Sequence, residues 1–134
     1  MNIGQAAAAS GVSAKMIRHY ESIGLLRPAR RSAAGYRLYG EVDVHDLRFI
    51  RRARDLGFSV ARIAALLALW RDRGRASADV KRIAAAQLVE LEAKIAALQA
   101  MARTLAHLAA NCHGDGRPEC PILEDLATPP SHTS

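Results

Sequence analysis

The chain has 134 residues, of which 50% are hydrophobic but only 4% aromatic, and its net charge is +6. Alanine, the best helix former, accounts for 27 residues, which predicts a mainly α fold and argues against a β-sandwich. No apolar run approaches the roughly 18 residues that a membrane span requires. The first residues also lack the basic and apolar pattern of a signal peptide, so we expect a cytoplasmic protein with no membrane partner.

The charge is unevenly distributed along the chain. Residues 1–75 contain 14 Lys and Arg against 6 Asp and Glu, a net +8, whereas residues 76–134 have a net charge of −2. A basic first part predicts a polyanionic partner for that part alone. A solubilising surface charge is the alternative, but Arg outnumbers Lys, and the Arg side chain suits phosphate geometry better.

Two short helices joined by a glycine turn are predicted at the N-terminus, over residues 3–9 and 14–23. Gly11 can close the first helix in a left-handed conformation, and Ser13 is a suitable N-cap for the second. This is the helix-turn-helix pattern, whose second helix enters the major groove of DNA. The second helix has an apolar side with Met16, Ile17, Tyr20 and Ile23, and a polar side with Lys15, Arg18, His19 and Ser22.

The segment 27–40 predicts a small hairpin, or wing. Pro28 and Gly35 exclude a helix there, and an alternating Tyr-Arg-Leu-Tyr strand follows the turn at Gly35. The hairpin is rich in arginine, and Tyr36 and Arg37 at its tip are suited to contact phosphates or a minor groove.

Two more helices are predicted over residues 44–56 and 60–70. Asp43 is the expected N-cap of the first and Ser59 that of the second. The first helix should turn Phe49, Ile50, Ala53 and Leu56 inward, and Arg48, Arg51 and Arg52 toward phosphate or solvent.

A long helix is predicted over residues 77–110, which contain no Pro or Gly. A helix of that length spans on the order of 45–50 Å and cannot bury an apolar seam within one small domain. We therefore expect a homodimer through this helix, although a helix folded back on its own domain is the alternative. Its apolar residues follow a heptad repeat at Ala84, Leu88, Leu91, Ile95, Leu98, Ala102, Leu105 and Ala109. The predicted dimerisation residues are Leu88, Leu91, Ile95, Leu98 and Leu105.

The C-terminal loop contains both cysteines of the chain, Cys112 and Cys120. Across a loop of this size both thiolates can converge on one ion, but the spacing is not that of a zinc-finger pair. Two thiolates suit a soft, low-coordinate ion such as Cu(I) or Ag(I), whereas zinc needs more ligands, for which His107 and His113 are the near candidates. We expect His113 to be a surface residue. Inert cysteines and a regulatory disulfide remain alternatives.

The motifs together resemble one family, the MerR family of transcription regulators. The resemblance covers essentially the whole chain, and the segment 112–123 further resembles the copper-responsive branch of that family. The resemblance implies a homodimer of two winged helix-turn-helix domains joined by an antiparallel coiled coil, acting with RNA polymerase on a promoter with an over-long spacer. The matching strings are Ile3-Gly4-Gln5-Ala6-Ala7, Ile17-Arg18-His19-Tyr20-Glu21-Ser22-Ile23-Gly24-Leu25-Leu26, Gly35-Tyr36-Arg37-Leu38-Tyr39 and Leu56-Gly57-Phe58-Ser59.

The resemblance also bears on the choice of metal. Divalent-metal members of the family have a cysteine at the start of the dimerisation helix, where this chain has Ser77. A serine hydroxyl cannot act as a third thiolate, so Ser77 favours a monovalent ion: Cu(I), or Ag(I) or Au(I), one for each loop formed by Cys112 and Cys120.

The sequence therefore predicts a metal-responsive transcriptional activator and not an enzyme. Its parts are a winged helix-turn-helix DNA-binding domain (1–75), a coiled-coil dimerisation helix (76–110), a metal-binding loop with a short helix (111–126) and a disordered tail (127–134). Two other hypotheses stay open: a thiol-redox regulator using the same cysteines, and a Cu(I) buffer that does not act on DNA. The predicted DNA-binding residues are Lys15, Arg18, His19, Tyr20, Arg31, Tyr36 and Arg37.

Overall fold

The computed structural model describes residues 1–129, and this part is mainly helical with one two-stranded hairpin, as predicted. No helix in it is both long and apolar enough to cross a bilayer. The elements in chain order are α1 (Ile3–Ser10), α2 (Ala14–Ser22), β1 (Arg30–Arg31), β2 (Arg37–Leu38), α3 (Glu41–Asp55), α4 (Val60–Arg71), α5 (Ser77–Ala110) and α6 (Pro121–Ala127).

The first compact unit, Met1–Gln87, contains the hydrophobic core. Helices α1, α2 and α3 pack together because each has an apolar stripe at helical spacing, and α4 packs on α3. The buried hydrophobic residues of this core cluster are Ala6, Val12, Ile17, Tyr20, Leu25, Leu26, Tyr39, Leu47, Ile50, Ala53, Ile63 and Leu67.

The turn between α1 and α2 has the predicted chemistry. Gly11 adopts φ +75° and its N–H donates to the Ala7 carbonyl. A Cβ at Gly11 would lie 1.8 Å from a guanidinium nitrogen of Arg51, the far end of a flexible side chain that can move aside, so the positive φ is the main reason for glycine. Ser13 caps α2 by accepting a hydrogen bond of 3.2 Å from the Met16 N–H. The helix-turn-helix is confirmed.

The hairpin is short and antiparallel. Arg30 pairs with Leu38, and Arg31 pairs with Arg37. Gly35 has φ +85°, which closes the turn between the strands, as predicted.

Four predictions about helix ends were wrong. Helix α3 begins at Glu41 and not at residue 44, and Asp43 is not its N-cap but a first-turn residue that accepts from the Gly40 N–H at 2.9 Å. Ile23 and Leu56 were expected to face inward, yet they are 43% and 46% exposed. Both are C-cap residues, where the chain leaves the helix and helical periodicity no longer sets the side-chain direction.

A buried carboxylate joins the end of α4 to α3. Asp46 is 2% exposed, and its Oδ2 lies 2.6 Å from Nη2 of Arg71, while its Oδ1 lies 3.2 Å from Nδ1 of His45. Removing this carboxylate leaves the guanidinium without its charged partner.

We therefore expect Asp46→Ala to lower the free energy of unfolding by about 1.5–3 kcal/mol, the range for a hydrogen bond to a charged group. Arg71 is half-exposed and can be rehydrated, which favours the lower part of this range. Asp79→Ala is the matched control, because its ion pair with Arg82 is exposed and should contribute at most about 1 kcal/mol. Urea unfolding measures both variants, and equal losses would contradict a structural role for Asp46.

The second compact unit begins at Leu88 and includes the remainder of α5, the cysteine loop and α6. Helix α5 has 34 residues with the predicted bounds. Helix α6 starts with Pro121 at its first position and ends at Ala127, so the tail expected from residue 127 does not begin there. The rest of the tail prediction, residues 130–134, lies outside the described residues.

Candidate functional site

The outer face of α2 presents the predicted basic stripe. Lys15, Arg18 and His19 are exposed, while Ile17 on the opposite side is fully buried. The helix is held by its serine cap and by core packing, so this face projects from a rigid element. A basic, exposed second helix of a helix-turn-helix is suited to contact DNA in the major groove.

Tyr20 does not lie on this face. It is 3% exposed, and its hydroxyl accepts a hydrogen bond of 2.6 Å from Nη1 of Arg54 on α3. A side chain buried in this way supports the fold of α2 and is not available to DNA, so we remove Tyr20 from the predicted DNA contacts.

The wing is tied to α2 by a polar cluster around Glu21. The Tyr39 hydroxyl donates to Oε1 of Glu21 at 2.5 Å, and Nε of Arg37 lies 3.4 Å from Oε2 of the same carboxylate. Burial, the hydrogen bond to Glu21 and the negative charge of Glu21 together raise the pKa of Tyr39 to about 12. Tyr39 therefore remains a protonated donor at neutral pH, and it helps to fix the second strand of the wing against α2.

The tip of the wing is exposed. Tyr36 is 74% exposed, and Arg31 donates from Nη1 to the Gly35 carbonyl at 3.0 Å, which braces the turn. The Arg37 side chain is 31% exposed, and its Nε lies against Glu21. The structure thus leaves the aromatic ring of Tyr36 more accessible than the guanidinium of Arg37.

Sequence reasoning missed two groups that position this surface. Glu21 lies within a basic stretch, and its acidic side chain was the available sign of an internal ion pair. Arg48 is exposed, as predicted, but its guanidinium also donates twice to the Ala9 carbonyl, at 3.1 and 2.8 Å. It therefore caps the C-terminal end of α1, where free carbonyls need donors.

The two cysteine side chains lie together, as the loop spacing predicts. Cys112 and Cys120 are free, partly buried thiols with their sulfurs 3.8 Å apart. Metal–thiolate bonds of about 2.3 Å, as in zinc sites, can join one ion to two sulfurs at this separation. The donor set fits a soft metal ion held by two thiolates.

No larger ligand cluster forms in the described part of the chain. Within residues 1–129, no group of three or more His, Cys, Asp or Glu side chains is placed to hold a metal ion. His107 lies 3.2 Å from the amide nitrogen of Asn111, and His113 is exposed. The cysteine pair therefore supplies only two of the four ligands of a structural zinc site.

The surroundings of the pair favour thiolate at one of the two sulfurs. The pKa of Cys120 is lowered, chiefly by the backbone N–H of Leu123 and further by that of Ile122 and the Cys112 side chain. Cys120 directly precedes α6, so these N–H groups belong to the first turn, whose donors have no partner within the helix. In the same loop Asp115 is bonded to Arg117 at 2.8 Å, which lowers the pKa of Asp115.

The remaining predicted residues lie on α5. Ser77 is its exposed first residue. Leu91 is partly exposed, and the other predicted dimerisation residues are between 54% and 63% exposed in the single chain: Leu88, Ile95, Leu98 and Leu105.

A helix-turn-helix with a basic outer face and a hairpin wing defines a DNA-binding regulatory protein. Comparison with known proteins gives the family. The model described as "MerR HTH family regulatory protein" matches residues 1–70, and the one described as "MerR, DNA binding" matches residues 44–108. The chain belongs to the MerR family of helix-turn-helix transcription regulators, which are not enzymes.

Named relatives span nearly the whole chain. The heavy metal-dependent transcription regulator 2 of Rhizobium meliloti is 65% identical over 95% of this chain and 86% of that protein. The transcriptional regulator CueR of Escherichia coli O6:H1 is 41% identical over 95% of this chain and 94% of that protein. The structure of the transcription regulator PbrR691 of Ralstonia metallidurans CH34 in complex with lead(II) has a TM-score of 0.83 at 33% identity, covering 95% of this chain and 99% of that one.

Proposed function

We propose that this chain is a cytoplasmic, homodimeric transcriptional activator that responds to a monovalent soft metal ion, Cu(I) or its congeners Ag(I) and Au(I). The observation that carries the proposal is the pair of sulfurs 3.8 Å apart on the same chain as a winged helix-turn-helix. Relatives named for heavy-metal dependence and for a lead(II) complex support a metal-binding role for the pair.

The choice of a monovalent ion rests on ligand number and charge. Cys112 and Cys120 supply two thiolates, and Ser77, at the start of α5, supplies no third. Two thiolates and a +1 ion leave a net charge of −1, which the N–H groups of the first turn of α6 partly offset. The identity to CueR agrees with the resemblance of residues 112–123 to the copper-responsive branch. Bound metal would supply a crosslink between the two ends of the loop.

The proposed major-groove contacts and the proposed backbone contacts lie on different elements. Arg18, with Lys15 and His19 beside it, faces the major groove from α2, whereas Tyr36, Arg31 and Arg37 hold the backbone from the wing. A guanidinium can contact a guanine edge with two hydrogen bonds, which gives sequence discrimination, while phosphate contacts only position the protein. Metal binding repositions the two DNA-binding domains of the dimer, so that the promoter is distorted and RNA polymerase meets both of its elements.

Replacing Arg18 should separate base reading from phosphate binding. We expect Arg18→Ala to weaken binding to the specific operator by about 1–3 kcal/mol more than binding to random DNA. Arg37→Ala, on the wing, is the comparison variant and should weaken binding to both DNAs about equally. Fluorescence anisotropy at one fixed salt concentration measures all four affinities. An equal loss on both DNAs for Arg18→Ala would make it a backbone contact.

A metal titration tests the proposed function directly. Reduced protein, promoter DNA and RNA polymerase are combined, and transcript is measured against free Cu(I) and, in parallel, free Zn(II). We expect activation by Cu(I) and not by Zn(II), because two thiolates without further ligands do not complete a zinc site.

A thiol-redox regulator is the second candidate, and the 3.8 Å separation of the sulfurs favours it among the alternatives. In that case an oxidant such as hydrogen peroxide takes two electrons from the cysteines and leaves a disulfide and two water molecules. Activation by oxidant in copper-free buffer, with Cu(I) inert, would support the thiol-redox hypothesis and leave the DNA-binding proposal intact.

A further inference from the structure

Gln87 is a buried polar side chain on a helix that is otherwise exposed or partly exposed. Helix α5 is described over its full length, and Gln87, 4% exposed, is its one buried residue. It is also the last residue of the first compact unit. A buried amide is costly unless its hydrogen-bonding groups are satisfied, so its partners show what it does.

Both ends of the Gln87 amide are bonded to the region that joins α3 to α4. Its Nε2 donates to the Leu56 carbonyl at 3.1 Å, and its Oε1 accepts from Nη1 of Arg62 at 2.9 Å. Leu56 is the C-cap of α3, whose carbonyl has no helical partner, and Arg62 lies in the first turn of α4. One side chain thus fastens α5 to two other helices.

We propose that Gln87 is the positioning residue through which α5 moves the DNA-binding helices when the cysteine loop binds metal. The inference rests on the proposed function. Helix α5 continues without a break from Gln87 to Ala110, two residues before Cys112. A shift or rotation of a continuous helix is carried along its hydrogen-bonded turns, and at Gln87 it reaches α3 and α4 together.

The two hydrogen bonds of Gln87 restrict how α5 can move against α3 and α4 at this point. An apolar side chain can slide on its neighbours, whereas the amide must keep a donor on the Leu56 carbonyl and an acceptor at Arg62. Breaking either bond leaves one hydrogen-bonding group of the buried Gln87 amide unsatisfied. The DNA-binding helices therefore follow α5 instead of slipping past it.

Linkage gives a test that does not depend on transcription. If the metal and operator sites are coupled, bound operator changes the dissociation constant of Cu(I). By linkage, the ratio of the Cu(I) dissociation constants with and without operator equals the factor by which Cu(I) changes the operator dissociation constant. We would measure this ratio by competition with a Cu(I) chelator for the unmodified protein and for Gln87→Met, which keeps length and helix propensity but has neither hydrogen-bonding group. We expect the two Cu(I) dissociation constants to differ by at least about fivefold in the unmodified protein and to become nearly equal in Gln87→Met. Cu(I) affinity without DNA should be unchanged, and metal-free operator affinity should stay within about threefold.

Two further variants separate positioning from stability. Gln99→Met makes the same change at an exposed position of the same helix and should keep the original ratio. Gln87→Glu keeps the acceptor for Arg62 but loses the donor to Leu56, so it should also lose coupling, and it provides the answer if Gln87→Met does not fold. A lower melting temperature in Gln87→Met with an unchanged ratio would show a purely structural role and overturn the inference.

The two proposals fail in different ways. A ratio of one in the unmodified protein would show that metal and operator binding are not coupled and would overturn this inference, whereas absence of Cu(I)-dependent transcription would overturn the proposed function. A ratio far from one that persists in Gln87→Met or in Gln87→Glu would overturn the inference alone.

Discussion

Replacing either Cys112 or Cys120 by serine should abolish Cu(I)-dependent transcription while leaving metal-free operator binding nearly unchanged. The two sulfurs are 3.8 Å apart, and the described residues bring no cluster of further ligands to them. Loss of one thiolate leaves a single strong ligand, because a serine oxygen is hard and protonated at neutral pH. The operator contacts are on α2 and the wing, which these substitutions do not touch.

The measurement is transcript yield against free Cu(I), with operator affinity of the metal-free protein determined in parallel. Ser77→Cys is the complementary variant, since a third thiolate at the start of α5, supplied by the partner subunit in the family arrangement, should admit a divalent ion such as Zn(II). Full Cu(I) response in both single serine variants would refute the metal assignment. Loss of operator binding in the same variants would show that the cysteines hold the DNA-binding fold itself.

Leu98→Asp should convert the protein from dimer to monomer. Leu98 is on the apolar seam of α5 and is 63% exposed in the single chain, so a partner helix is needed to cover it. An aspartate there would be buried without a countercharge at the interface, which costs about 3–5 kcal/mol for each uncompensated charge. Since 1.4 kcal/mol corresponds to a tenfold change, the dimer dissociation constant should rise at least about a hundredfold.

Analytical ultracentrifugation over a range of concentrations measures this shift. Gln99→Asp is the matched control, because it introduces the same charge one residue away and off the seam, and it should remain dimeric. Circular dichroism shows whether the helix is retained in both variants. A stable monomer for the unmodified protein would refute the dimer, and with it the two-fold arrangement on the operator.

Much of the fold follows from local chemistry, which the sequence displays directly. Gly11 and Ser13 mark the turn of the helix-turn-helix because a left-handed residue and a capping oxygen act within three or four residues of themselves. The extent of α5 was predictable within a few residues for the same reason, since the helix lies inside an uninterrupted run without Pro or Gly. The cysteine pair was also foreseeable, because both side chains lie on one short loop.

Contacts between residues distant in the chain were not predictable in this way. Helical periodicity grouped Tyr20 with the apolar side of α2, but only packing showed that its side chain is buried and that Arg54 reaches its hydroxyl. The ion pair of Arg37 with Glu21 and the bonds from Arg48 to Ala9 depend on how the wing and helices meet.

The sequence by itself determined the element order, the basic recognition face, the thiolate pair and the family of this protein, because each is expressed by neighbouring residues or by a regular repeat. Only the tertiary structure decided which of these side chains are accessible and which hold the site together. It removed Tyr20 from the DNA-facing set, used Arg37 and Arg48 for internal bonds, and joined Gln87 to Leu56 across 31 positions. The physical reason is that burial and hydrogen-bond partners depend on the packing of whole helices, which no local pattern specifies.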